Sequence, residues 1–475
     1  MLEDLPTREI VSQINSKQIS TEEVIKFYLH RINKFNNALN AIISLKDEEE
    51  IRKEIKHLKQ NNVENEKLLL GLPMAIKDLM DVEGLPTTYG LKKYKNNLPS
   101  RNSIMVDRLK KHGAIIIGKT NTPELGLGSH TTNNLFGTTA NIFDQSKTAG
   151  GSSGGAASAV GASLLPFADG SDMMGSCRNP AAYSNLYGFR PTPGLIPEYR
   201  IMKIDKQFPL LTTPGCLTRT PDDMALLLDA VSGKHPADPF SLNPKSSFSN
   251  HDDHDFSKIK IGWLSDMNGA YKFEEGILGL CETKLNVLNE NKIHVSSITS
   301  EINPRILWDS WTTMRSKNIF DYLIAMNLDV NEELGLPTRW EYEKGRGVKS
   351  KDIETSITQR EECKHAVGKL FMDYDFLAIP SAQLFPFDKS LQYPDQIAGF
   401  SMDTYHRWME VAILASLLGL PTMSVPVGFN KNGLPMGMQI IGKQGDDIKV
   451  VSFAKKYESI FKSSQSMHIR NVENI

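Results

Sequence analysis

Two glycine loops that carry serine lie in close succession, and they constrain this chain more than any other feature. The first runs Thr148-Ala149-Gly150-Gly151-Ser152-Ser153-Gly154-Gly155, the second Asp169-Gly170-Ser171-Asp172-Met173-Met174-Gly175-Ser176-Cys177-Arg178. Each glycine loses more backbone entropy on folding than any other residue. Such loops are kept where backbone approaches a ligand closely or aims its N–H groups at one. Hydroxyls set among exposed amides are what acyl transfer requires, a nucleophile beside donors for an oxyanion. The missing part is a base. Gly71-Leu72-Pro73-Met74-Ala75-Ile76-Lys77-Asp78 offers one, because Lys77 ends an apolar run and is expected to be at least partly buried.

Size and charge narrow the function classes. At 475 residues the chain exceeds the ~250–300 residues usual for one core, so several domains or one large α/β unit is expected. A formal net charge of -2 gives no general electrostatic reason to expect nucleic acid. Cys177, Cys216, Cys281 and Cys363 lie far apart with no CxxC pair, which suggests neither a zinc site nor a disulfide framework. The opening MLEDLPTREI is polar and acidic, unlike a signal peptide. No run approaches the roughly 18 apolar residues of a membrane span. A reduced, cytoplasmic protein with no membrane partner is the expectation.

Along the chain, Ser20-Thr21-Glu22-Glu23 is a capping-box pattern with Val24, Phe27, Tyr28, Arg31 and Ile32 at helical spacing behind it. Residues 1–65 therefore read as a helical N-terminal cap. Met105 to His112 reads as a helix closed by Gly113, then a strand from Ala114 to Gly118. A small-residue helix spans Ala156 to Ser163, a strand Leu164 to Ala168, and a helix Asp222 to Val231. Residues 234–257, rich in Pro, Ser, Asn and Asp, read as a surface connection before the strand Lys260 to Trp263. The alternation predicts an α/β layer sandwich around a largely parallel or mixed sheet.

Ala75-Ile76-Lys77-Asp78, Gly150 to Gly155 and Gly175-Ser176-Cys177-Arg178-Asn179-Pro180-Ala181-Ala182 together resemble the amidase signature family. The resemblance continues through Asn40-Ala41, Gly118 to Glu124, Gly188 to Thr192, Gly419-Leu420-Pro421 to Pro426, and Gly433 to Gln439. It is similar to the branch with aryl acylamidases and nylon-oligomer cyclic-dimer hydrolases. The fold it implies is α/β: a central mixed sheet sandwiched between helices, with a helical N-terminal region. A single domain over 1–475 is expected, with a signature core at 66–233 and a C-terminal half at 258–475. Within that half, residues 300–410 are expected to shape the substrate pocket.

The resemblance also implies a site: Ser176 as nucleophile, Ser152 as a bridging serine preceded by a cis peptide, and Lys77 as base. Backbone N–H groups of Met173, Met174, Gly175 and Ser176 would form the oxyanion hole. Asp172 and Arg178 would be a buried ion pair stiffening the loop, and Ser153 a supporting donor. The physics agrees with those roles. Lysine is a useless base at its ordinary pKa of about 10.4, but burial disfavours its charged form. A neutral Lys77 takes a proton from Ser152, which takes one from Ser176, so no histidine is needed. The activity implied is cleavage of a small-molecule carboxylic amide, with no cofactor and no metal.

One residue departs from the family pattern. Met174 stands where the family usually has glycine, and the expectation is that its side chain narrows the acyl pocket while the backbone is unstrained. Other motifs are rejected on context. Gly113 to Thr120 fits a P-loop string, but its centre is an apolar strand. His251-Asp252-Asp253-His254-Asp255 lies in the polar connection, Ser257 to Lys260 lacks the companions of an SxxK site, and Cys177 reads as packing. The rival function is an amidotransferase component similar to the glutamyl-tRNA amidotransferase A subunit, which alone would bring in nucleic acid. A non-catalytic binding protein on the same fold is the third reading, and a homodimer is allowed.

Overall fold

The computed structural model describes residues 2–60, 67–200, 209–250, 255–328 and 334–461. Two sheets organise it. The smaller has Ile42–Leu45 (β1), Pro73–Lys77 (β2) and Ile115–Thr120 (β3), in the order β1-β3-β2. The larger is built from Phe167–Asp172 (β4), Tyr187–Arg190 (β5), Thr213–Thr218 (β6), Lys260–Trp263 (β7), His294–Ser297 (β8), Phe376–Pro380 (β9), Thr422–Phe429 (β10) and Pro435–Ile441 (β11). Its order is β8-β7-β9-β11-β10-β5-β6-β4. The strands β8, β7 and β9 run parallel and every other ladder is antiparallel, so the sheet is mixed.

Side-chain alternation buries the sheet on both faces. Phe376 and Ala378 of β9 enter one apolar cluster, with the helices Pro221–Val231, Ile277–Glu290 and Asp447–Phe461. Leu377 and Ile379 enter the opposite one, with the helices Pro304–Ala325 and Ser350–Asp373. A third cluster packs Ile115 and Ile117 of β3 against the helices Thr21–Leu39 and Glu48–Gln60. This is the α/β sandwich that the alternation of elements predicts.

Local signals explain most boundaries. Ser20 Oγ accepts the Glu23 amide at 3.2 Å, and the Glu23 carboxylate accepts the Ser20 amide at 2.7 Å, closing the capping box. Ser103 caps the helix Ile104–Lys111, and Gly113 turns the chain at φ 90° into β3. Two expectations need correction. Residues 1–65 are not all helical: Ile42–Leu45 pairs with β3, a four-residue segment too short for a periodicity to declare itself. The strand expected at 164–168 begins instead at Phe167, after Pro166, and continues through Gly170, Ser171 and Asp172. Those last residues have poor intrinsic strand preference, and tertiary pairing with β6 overrides it.

The site lies where the two sheets meet. β2 ends the small sheet and β4 ends the large one. Their facing edges are bridged by the Asp169 carboxylate, which accepts the Lys77 amide at 3.1 and 3.2 Å. The helix Gly154–Gly161 approaches so closely that a Cβ on Gly155 would stand 2.3 Å from the Asn121 nitrogen and 2.6 Å from the Ala41 oxygen. Among the described residues no helix is long and apolar enough to cross a membrane.

Candidate active site

Lys77 occupies the last position of β2 and has no exposed surface. Its Nζ reaches three hydroxyls, Ser152 at 2.7 Å, Ser153 at 2.9 Å and Ser171 at 3.1 Å. Burial pushes its pKa down to about 8, against the pull of the nearby carboxylates Asp169 and Asp172. Asp169 is itself pushed up to about 6 by burial, with the Lys77 amide and the Lys119 and Lys77 charges opposing that. The Gly151–Ser152 peptide is cis. The two glycine loops are tied together, Ser153 donating its amide to the Ser176 carbonyl at 3.2 Å and Gly151 to Asn179 Oδ1 at 3.2 Å.

Asp172 sets the shape of the second loop. Its carboxylate accepts the amides of Gly175 and Cys177, each at 3.0 Å. Arg178 grips it with Nε at 3.0 Å and Nη2 at 2.8 Å, and Arg190 adds a contact at 3.5 Å and a bond to the Asp172 carbonyl. Burial alone would raise this carboxyl, but the two guanidinium groups hold it well below the usual carboxylate range. Arg178 continues to the Ser416 hydroxyl at 2.8 Å and Gln439 Oε1 at 2.5 Å, so the loop is anchored to β11.

Two sequence expectations are corrected here. The Gly175 N–H is committed to Asp172 Oδ1. Within the loop, the amides left without a protein acceptor among the described residues are those of Met173, Met174 and Ser176. Met174 does not narrow the pocket. Its side chain is 2% exposed and packs into the core with Leu211, Trp311 and Met409. Its backbone is free of positive φ, as expected, and the residue that reaches the cavity is its neighbour Met173. Adjacent side chains on extended chain diverge, and sequence alone gives no sign of which of the two faces inward.

A cavity of about 340 Å³ opens in front of this loop, with Ser152, Ser171 and Ser176 on its floor. Ser176 is 7% exposed, and its hydroxyl has no protein partner among the described residues. Among the described residues of 300–410, Asn318, Ile319 and Tyr322 reach the cavity. Most of the wall comes from side chains within 79–105, 125–127, 197–200 and 209–214. Arg315, on the same helix, stands behind the wall with Nη1 3.7 Å from the Met173 sulfur.

Three participants carry no role in the motifs read from the sequence: Asp169, Ser171 and Arg190. A signal for the first two existed, since i and i+2 on one strand share a face. The rejected motifs that the structure describes supply no side chain to the cavity. Lys119 is buried in β3, 3.6 Å from Asp78 and hydrogen-bonded to Thr87 at 3.0 Å. Ser257 lies in the short 3-10 turn Phe256–Lys258, Lys260 opens β7, and Cys177 is buried with its thiol pushed up by burial. His251 to His254 lie outside the described residues.

A family model described as Amidase matches residues 23–451. The chain belongs to the amidase family. An acylamidase from Rhodococcus erythropolis is 31% identical to this amidase over 464 residues, covering 96% of this chain and 95% of that protein. The A subunit of the glutamyl-tRNA(Gln) amidotransferase from Caldanaerobacter subterraneus subsp. tengcongensis is 29% identical over 487 residues, 97% of each chain. Among solved structures, a bacterial aryl acylamidase belonging to the amidase signature enzymes superposes with a TM-score of 0.92 at 27% identity, covering 99% of both chains. This amidase is accordingly an amide-hydrolysing enzyme with the amidase signature fold.

Proposed function

We propose that this amidase cleaves small carboxylic amides through an acyl-enzyme on Ser176, activated by a relay from Lys77 through Ser152. The observation that carries the reading is the buried Lys77 Nζ held 2.7 Å from Ser152 Oγ, in a cleft that also holds Ser176. Neutral Lys77 accepts the Ser152 proton as Ser152 accepts that of Ser176. The Ser176 oxygen attacks the carbonyl, and the oxyanion is met by the amides of Met173, Met174 and Ser176. The relay returns the proton to the leaving amine, and water then repeats the sequence on the ester. The Ser176–Ser152 hydrogen bond that this needs is not made among the described residues, and substrate docking is expected to tighten it. The four free, buried cysteines support a reduced, cytoplasmic setting.

Intact-mass analysis with a serine-directed fluorophosphonate tests the nucleophile. One adduct on the Ser176 peptide is expected, together with the loss of several orders of magnitude of turnover in Ser176→Ala. An adduct on Ser153, or near wild-type activity in the variant, overturns the assignment. A second reading, an ammonia-donating amidotransferase component, is favoured by the 29% identity to an amidotransferase A subunit over 97% of the chain. Its test is co-purification with partner proteins and amide hydrolysis that depends on them.

A further inference from the structure

One wall of the cavity carries a carboxylate that has no ion-pair partner among the described residues and feels the buried Lys119 only at longer range. Asp81 is half-buried there, four residues beyond Lys77. Its carboxylate receives one long hydrogen bond, from the Tyr89 hydroxyl at 3.4 Å. Among the described residues no basic side chain stands within ion-pair distance of it, and Lys119 is paired with Asp78 instead. The other ionic groups of the cavity are accounted for. Arg200 forks onto Asp238 through Nε and Nη2, each at 3.0 Å, and its Nη1 donates to Glu198 at 2.8 Å. Arg101 is exposed at the rim, 3.9 Å above the Tyr199 ring, where water and salt screen it.

The backbone around Asp81 is unusual as well. Tyr89 adopts φ 55°, a region that bulky side chains rarely enter. Its carbonyl accepts the amide of Leu125 at 2.8 Å, and Leu125 is left-handed too, at φ 52°. Both residues line the cavity. Costly conformations of this kind cluster where a protein shapes a ligand site. Tyr322 lines the same cavity, close enough to feel the Asp81 charge, and its hydroxyl has no protein partner among the described residues.

We propose that Asp81, flanked by Tyr89 and Tyr322, binds an ammonium group carried by the substrate, so that this amidase prefers amides with a basic substituent. A carboxylate and tyrosine rings complement an ammonium in charge and in donor count. The proposal rests on Ser176 acting as nucleophile in this cavity and extends that reading to the substrate.

Two pairs of isosteric amides test it. One carries the group on the acyl side, the para-nitroanilides of γ-aminobutyrate and of pentanoate. The other carries it on the amine side, N-aminoethyl and N-propyl benzamide. The ammonium member of one pair is expected to exceed its neutral partner in kcat/KM by roughly tenfold, the lower end of couplings between close charges. In Asp81→Asn that ratio falls to unity or below, and a ratio taken within each enzyme cancels any general loss. Wild-type enzyme gives a second readout that needs no variant: pentylammonium should slow fluorophosphonate labelling of Ser176 at a lower concentration than pentanol does. Preference for the neutral member of both pairs, a ratio untouched by Asp81→Asn, or equal protection by pentanol overturns the proposal. Failure of the underlying amidase reading looks different, since labelling at Ser176 and turnover of the neutral amides are then lost together.

Discussion

Replacing Lys77 by methionine probes the relay and its electrostatics at once. Burial pushes the wild-type amine down to about 8. A base of that pKa is about one-tenth neutral at pH 7 and about nine-tenths neutral at pH 9. Where proton removal limits acylation, kcat/KM for a neutral anilide climbs about tenfold between those values, with a midpoint near 8. Lys77→Met should lose this limb along with most of the rate. Stability gives an independent check. The folded pKa lies below that of an exposed lysine, so between about 8 and 10.5 the unfolded chain binds the extra proton and stability rises with pH. Below that window, holding the charge inside costs on the order of 3 kcal/mol. The variant escapes this cost but strands the hydroxyls of Ser152, Ser153 and Ser171, at about 1 kcal/mol each. The two effects nearly cancel at pH 7, and the wild type gains on the variant towards pH 10. Initial rates across pH 6 to 10, with calorimetric Tm values at both ends, measure this. A variant that keeps the wild-type profile, or a Tm gap that ignores pH, refutes the reasoning.

Asp169 raises the Lys77 pKa, so Asp169→Asn should move the acid limb to lower pH while the amide oxygen still accepts the Lys77 N–H; a limb that stays in place or moves up contradicts the coupling. Met173→Ala, on the cavity wall, should shift acyl preference by about 1–3 kcal/mol in relative kcat/KM. Met174→Gly should leave preference alone and lower Tm through a core cavity worth about 2–5 kcal/mol, and the reverse pattern would place the wrong methionine inside. Arg178→Met leaves Asp172 short of a buried partner and should destabilise by about 3–5 kcal/mol, seen as a large fall in Tm.

What the sequence made legible was local or motif-bound. The Ser20 cap, the helix end at Gly113 and the apolar run ending in Lys77 announce themselves within a few residues. The family and its fold follow from the ordered glycine and serine segments. What stayed hidden depends on distant pairing. The Gly170-Ser171-Asp172 stretch is a strand because β6 pairs with it, not because of its own preferences. Met173 and Met174 cannot be told apart until Arg315 and Leu211 take up positions around them. The cavity wall at 79–105, 197–200 and 209–214 is assembled from segments that no periodicity links.

The place of the site follows from an old difficulty of sheets, the unpaired edge. β2 and β4 each end a sheet, and instead of joining into one ladder they leave a seam. Asp169 fills it by accepting the Lys77 amide, and its charge then acts on the amine of the same lysine. One carboxylate thus closes the edge and tunes the amine that the proposed relay uses as its base. Asp172, three residues on, repeats the economy. Held by Arg178 and Arg190, it takes the amides of Gly175 and Cys177 and leaves those of Met173, Met174 and Ser176 without a protein acceptor among the described residues. On the proposed mechanism, a loop whose donors are selected by a buried, doubly paired carboxylate needs no reorganisation when negative charge develops, which is the condition for oxyanion stabilisation to lower a barrier.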